Sequence, residues 1–215
     1  MNPKSIVFIV GKLLFYFSFI ILIPLLYSFY DSCNCTYAFT LTFFISLLSG
    51  YLLQFFSKQI DDISIKDGFL IVCFSWLLYS TIGALPYLFS GTFSSFSDAF
   101  FEAMSGLTTT GATVLTTIES TPEAILLWRS ITQYIGGLGI IVLAISVLPE
   151  IGLGAVRMFN SEVPGPTKDR VLPRIKDTAK ALWIIYLFFT ALEAILLKIA
   201  GLSLFDAINH SFTTM

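Results

Sequence analysis

Few side chains in this 215-residue chain could do chemistry, and the densest group is Thr108-Thr109-Thr110-Gly111-Ala112-Thr113. Four hydroxyls surround one glycine there. Backbone carbonyls pointed at an axis can replace the hydration shell of a monovalent cation, and threonine hydroxyls add further oxygen. Gly111 permits backbone angles that residues with a Cβ resist. No acid lies within 105–118, which argues against a divalent site, where carboxylates are the usual ligands. The remaining reactive residues are sparse. One histidine and three cysteines, at 33, 35 and 73, cannot build a Cys/His zinc site. Cys33 and Cys35 are only two residues apart, a poor geometry for a mutual disulfide, and read as free thiols. His210 and Asp206 form an i,i+4 pair, too few ligands for a metal, and read as a helix-surface contact. The competing class is a membrane-embedded enzyme such as an intramembrane hydrolase. It needs a nucleophile–base or carboxylate pair at one depth. Glu102, Glu193, Asp206 and His210 qualify only by polarity, and none sits in a recognisable catalytic motif.

The elements that must position these residues are apolar helices. Hydrophobic residues make up 56% of the chain and charged ones 12%, about half the share usual in soluble domains. Such a surface belongs in a lipid bilayer. The net charge of -2 offers no basic face for nucleic acid. Runs long and apolar enough to span cover 6–29, 37–56, 69–89, 124–148 and 181–197. The first exceeds the apolar core of a secretory signal and lacks a cleavage pattern. Lys and Arg set the direction. With the N-terminus in the cytoplasm, Lys4, Lys12, Lys58, Lys66, Arg157, Lys168, Arg170, Arg174, Lys176 and Lys180 are all inside. Ten of the twelve basic residues then share one side.

Between the third and fourth spans, Phe93, Phe96, Phe100, Phe101, Met104 and Leu107 recur at helical spacing, which predicts a short helix over about 95–107. Ser95 and Asp98 resemble a capping box at its start. Thirteen residues rise roughly 20 Å, too little to cross a hydrocarbon core of about 30 Å. The segment therefore reads as re-entrant: in as helix, back as extended chain. Irregular backbone at membrane depth is tolerated only where protein or water satisfies it. The helix would aim its partly negative C-terminal end at the ion. Arg129, about a turn and a half into the fourth span, is costly there without a partner. It either pairs with Glu102 or with carbonyls behind the loop, or snorkels to the interface. Gly136, Gly137 and Gly139 read as a close-packing patch.

The end of the chain repeats its middle. The stretch from Phe96 compares with that from Leu204, and Asp98 aligns with Asp206. The unit is helix, re-entrant helix, filter, helix, and such repeats commonly surround a shared site. The second copy reaches Met215 just before a filter is due, so this is expected to be the N-terminal portion of a larger protein.

Ala99-Phe100-Phe101-Glu102-Ala103 through Gly111-Ala112-Thr113-Val114-Leu115 resembles the first pore loop of the Trk/Ktr/HKT potassium transporters. The resemblance continues in Leu127-Trp128-Arg129-Ser130 and in Gly136-Gly137-Leu138-Gly139-Ile140-Ile141-Val142. It extends to Glu162-Val163-Pro164-Gly165-Pro166, Pro173-Arg174-Ile175 and Thr178-Ala179-Lys180-Ala181-Leu182-Trp183, and is strongest to the bacterial Trk-type (TrkH-like) membrane subunits. It implies an all-α membrane protein of K+-channel-like helix–pore-loop–helix repeats with an extra N-terminal helix pair. The implied divisions are a helix pair at 1–57, a first repeat at 68–149 with its filter at 108–113, a cytoplasmic loop at 150–178, and a truncated second repeat at 179–215. The implied function is potassium uptake across a bacterial inner membrane, with K+ as the transported ion. Thr109 and Thr110 would offer ion ligands beside the signature glycine Gly111. Arg129 and Glu102 would support the loop. A homodimer and a cytosolic nucleotide-binding regulatory subunit of the Trk-A type are the implied partners. Because later filters and the gating loop of the third repeat are absent from these residues, this stretch alone is expected not to conduct.

Overall fold

The computed structural model describes residues 3–31, 33, 35–57, 65–139 and 171–215. Among these every regular element is an α-helix: α1 (Pro3–Asp31), α2 (Cys35–Phe56), α3 (Ile65–Phe89), α4 (Phe96–Leu107), α5 (described over 123–139), α6 (Val171–Ile199) and α7 (Leu204–Thr214). The chain forms two compact units, Met1–Gln133 and Tyr134–Met215.

Four of these helices, over Pro3–Asp31, Cys35–Phe56, Lys66–Phe89 and Lys180–Ile199, are long and apolar enough to cross a membrane. They are apolar on nearly all sides, as a helix surrounded by lipid or protein must be. The span read at 124–148 is described as helix only to 139, and its remainder lies outside the described residues, as does most of the loop at 150–178. Helix α4, at twelve residues, is too short to span.

In the first unit α1 and α2 form a hairpin built on small residues. A Cβ on Gly11 would lie 2.6 Å from Leu53 Cβ, and one on Gly50 would lie 2.7 Å from the backbone nitrogen of Phe15. Helix backbones in a membrane approach this closely only where side chains are missing. Ser46 Oγ donates across the contact to the carbonyl of Leu14 at 3.3 Å. Other buried hydroxyls, Thr42 and Ser28 among them, donate to carbonyls one turn back on their own helix, which hides their polarity. Leu14, Phe17 and Ile21 of α1, Ala38 and Phe39 of α2, and Tyr87 and Trp128 are all buried, with Phe17 and Phe39 both packed on Trp128.

Two local readings are corrected. Cys33 and Cys35 are joined as a disulfide rather than standing as free thiols. The chain turns between α1 and α2 at this point, placing the two Cα atoms 5.1 Å apart, a separation a disulfide can bridge. The capping box expected at Ser95 and Asp98 is also missing: Ser95 makes no side-chain cap. Its first turn is exposed, so solvent can take those N–H groups. At the repeat-related position the serine does cap its helix. Ser203 Oγ accepts from the Asp206 backbone N–H at 3.0 Å and donates to the Asp206 carboxylate.

In the second unit Tyr134 stacks on Phe212 at 4.6 Å and its hydroxyl lies 3.1 Å from that of Thr190. A Cβ on Gly137 would meet Tyr186 Oη at 2.7 Å, whereas among the described residues no atom lies within 4 Å of one on Gly139. Close packing therefore describes Gly137.

Candidate cation filter and its support

The C-terminal turn of α4 does not continue as helix. Thr108 N–H donates to Met104 O at 2.8 Å, Thr109 N–H to Gly106 O at 2.9 Å, and Thr110 N–H to Ser105 O at 3.0 Å. These bonds use up the last carbonyls of the helix and turn the chain out of it. Thr109 has φ 54° and Gly111 φ 72°. For glycine the left-handed region is free of penalty. For a β-branched threonine it costs about 1–3 kcal/mol and is held only where the surroundings impose it. Residues 110–115 then run without helix or strand, and 109–114 are exposed in this chain.

What imposes the conformation lies behind the loop. Glu102, on α4, is 1% exposed and its carboxylate is fully engaged. Thr113 Oγ1 lies 2.9 Å and 3.0 Å from its two oxygens. The Val114 backbone N–H donates to Oε2 at 3.0 Å, and Arg129 Nε donates to Oε1 at 2.6 Å. Arg129 Nη2 also donates to the carbonyl of Gly111 at 3.2 Å. A buried carboxylate is tolerable only when paired and hydrogen-bonded in this way. Ser105 Oγ donates to Ala112 O at 2.6 Å. The loop is thus stitched to α4 and α5 at Gly111, Ala112, Thr113 and Val114.

The outer part of the loop carries the other oxygens. Thr108 Oγ1 donates to Met104 O and sits 2.8 Å from Thr110 Oγ1. Thr109 and Thr110 lie on the exposed side. Gly111 offers its carbonyl to Arg129, which takes one of two lone pairs.

Helix α5 holds Arg129 in place by close contact with α4. A Cβ on Gly106 would lie 2.6 Å from Thr132 Oγ1, so the Thr132 side chain packs directly on the bare backbone of α4. Trp128, fully buried, donates from Nε1 to the carbonyl of Gly83 on α3 at 3.0 Å. Sequence reading missed Ser105, Thr113 and Trp128 as structural partners of the loop. Only Thr113 carried a hint, as the last hydroxyl of the Thr/Gly run. His210 and Asp206 are both exposed, and among the described residues no cluster of three or more His, Cys, Asp or Glu could hold a metal.

A short amphipathic helix ending in a stitched, non-helical Thr/Gly turn between apolar helices is a specific arrangement, and residues 36–215 match the TrkH family of cation transport proteins. The chain belongs to that family. The Trk system potassium uptake protein TrkH of Escherichia coli strain K12 is 44% identical over all of this chain and 45% of its own length. The Trk system potassium uptake protein TrkG of the same strain is 38% identical, over 95% of this chain and 43% of its own. The crystal structure of the potassium transporter TrkH from Vibrio parahaemolyticus superposes with a TM-score of 0.84 at 41% identity, over 99% of this chain and 42% of that one. The chain thus spans less than half the length of these relatives, which are named as transporters. It is an all-helical, multi-pass membrane protein with the TrkH fold.

Proposed function

We propose that this chain is part of the translocating subunit of a Trk-type potassium uptake system, with Thr109, Thr110 and Gly111 in the first of its ion-selecting loops. The observation that carries this reading is the turn at 108–113, kept out of helix by Glu102 and Arg129. A loop of bare carbonyls and hydroxyls at membrane depth has a purpose if a dehydrated monovalent cation takes their oxygens. Glu102 and Arg129 are then support: they hold the loop's back so that its front keeps a fixed spacing. Potassium as the cargo follows from the named activity of the relatives.

Membership of the TrkH family supports a bacterial inner-membrane location, and the distribution of basic residues supports an N-terminus in the cytoplasm. The basic segment 150–178 would then face the cytosol, where a nucleotide-binding regulatory subunit could dock. A homodimer completes the proposed assembly. The test is ion flux by the full-length transporter in cells lacking potassium uptake, grown at low external potassium. Wild type should restore growth, and Thr110→Asp and Gly111→Asp should abolish it. Wild-type growth with either aspartate in place would sink the filter assignment.

A further inference from the structure

Helix α5 carries Arg129, and its first turn needs caps for N–H groups that have no partner within the helix. The nearby hydroxyl that could serve, Thr121 Oγ1, instead donates to Thr117 O at 2.9 Å. The cap comes from far away in sequence. Asp31, the last residue of α1, accepts the Ala124 N–H on Oδ2 at 3.2 Å. One turn back on the same face of α1, the Tyr27 hydroxyl donates to the Glu123 carboxylate. Both bonds grip the first turn of α5, and a carboxylate there also suits the helix dipole.

The same two helices touch again at greater depth. Phe17 of α1 packs on Trp128 with ring centroids 5.7 Å apart, and Phe39 of α2 meets it at 6.3 Å. A helix held at two depths can neither slide nor rotate about its axis. Arg129, the next residue, needs both freedoms removed. Its guanidinium reaches Glu102 at 2.6 Å and the Gly111 carbonyl at 3.2 Å simultaneously, and a shift of half a turn would lose both. The gripping element is itself rigid, because α1 is locked to α2 at Gly11 and Gly50.

We infer that the N-terminal helix pair is a strut that sets the height and rotation of α5, and through Arg129 the pose of the ion-selecting loop. Asp31 and Tyr27 are thereby positioning residues for ion selection, although neither touches the loop. This rests on the reading of 108–113 as an ion-selecting loop, and the experiment separates the two.

Potassium and sodium uptake are measured in the full-length transporter reconstituted in liposomes, normalised to the amount of folded protein. The set is wild type, Asp31→Ala, Asp31→Asn, Tyr27→Phe, Arg129→Gln, Gly111→Asp, and the Asp31→Ala/Arg129→Gln double variant. Asp31→Ala should raise the potassium KM and lower the potassium-over-sodium ratio about fivefold, the size of one helix cap expressed as a ratio. Its maximal rate per molecule should change little, as for a lost positioning contact. Asp31→Asn keeps an acceptor oxygen and should recover most of the wild-type values. Adding Asp31→Ala to Arg129→Gln should change nothing further, since both act along one path. Tyr27→Phe deletes one hydroxyl, keeps the ring, and carries the test if Asp31→Ala fails to fold. Unaltered KM and selectivity in Asp31→Ala and Tyr27→Phe, with only a lower melting temperature, would overturn the strut. So would additive effects in the double variant. Full transport by Gly111→Asp would instead remove the loop reading on which the strut depends.

Discussion

Glu102 holds four contacts on two oxygens while being almost wholly buried. Truncating it would strand the Arg129 charge, whose side chain is 20% exposed, together with the Thr113 hydroxyl and the Val114 N–H. Breaking a buried pair by deleting one partner typically costs about 3–5 kcal/mol. Glu102→Ala is therefore expected to lower the melting temperature of the purified full-length transporter strongly. Glu102→Gln, which keeps the shape and one acceptor, should lose less. Equal melting of wild type and the alanine variant would mean that water replaces every one of these contacts, and the support would have no energetic basis. Sequence reading could name Glu102 and Arg129, because an acid and a base inside apolar segments stand out by cost alone. The bonds to Thr113 and Val114 were not legible, since nothing in residue spacing says which way a non-helical loop turns.

Among the helices, the tightest meeting near the loop is α4 against α5. A methyl group at Gly106 would collide with Thr132 Oγ1 at 2.6 Å, and overpacking of this kind costs about 1–3 kcal/mol. Gly106→Ala should thus destabilise the protein, and Thr132→Ala, which removes that oxygen, should restore much of the loss. Thr132→Ser keeps the oxygen and should not. Thermal unfolding of the single and paired variants decides it; no rescue by Thr132→Ala would place the clash elsewhere. The existence and length of α4 were legible from its apolar period, and it occupies Phe96–Leu107 where about 95–107 was read. Its cap was not legible. Ser95-x-x-Asp98 and Ser203-x-x-Asp206 are the same motif by sequence, yet only the second serine caps its helix. Whether a serine turns inward depends on the packing and exposure of its turn.

For the molecule as a whole, orientation is the property most open to test. With ten basic residues on one side, a reporter active only in the cytoplasm should be active when fused after Pro166 of the full-length protein. It should be silent when fused after Thr92. The reverse pattern would invert the topology and place the loop at 108–113 on the cytosolic side. The TrkH fold itself was legible because several motifs occur in order along the chain, and the match over 36–215 and the TM-score of 0.84 agree with it.

Composition and periodicity by themselves determined that the chain lives in a bilayer as apolar helices, with one short helix ending in a Thr/Gly turn. These are consequences of transfer free energy and of helical rise, which act on each segment separately. Only the tertiary structure decided that Asp31 caps a helix 93 residues further along and that Trp128 sits against three other helices. Such contacts depend on how whole helices cross, and crossing is set by the sum of many small side-chain fits that no single segment contains.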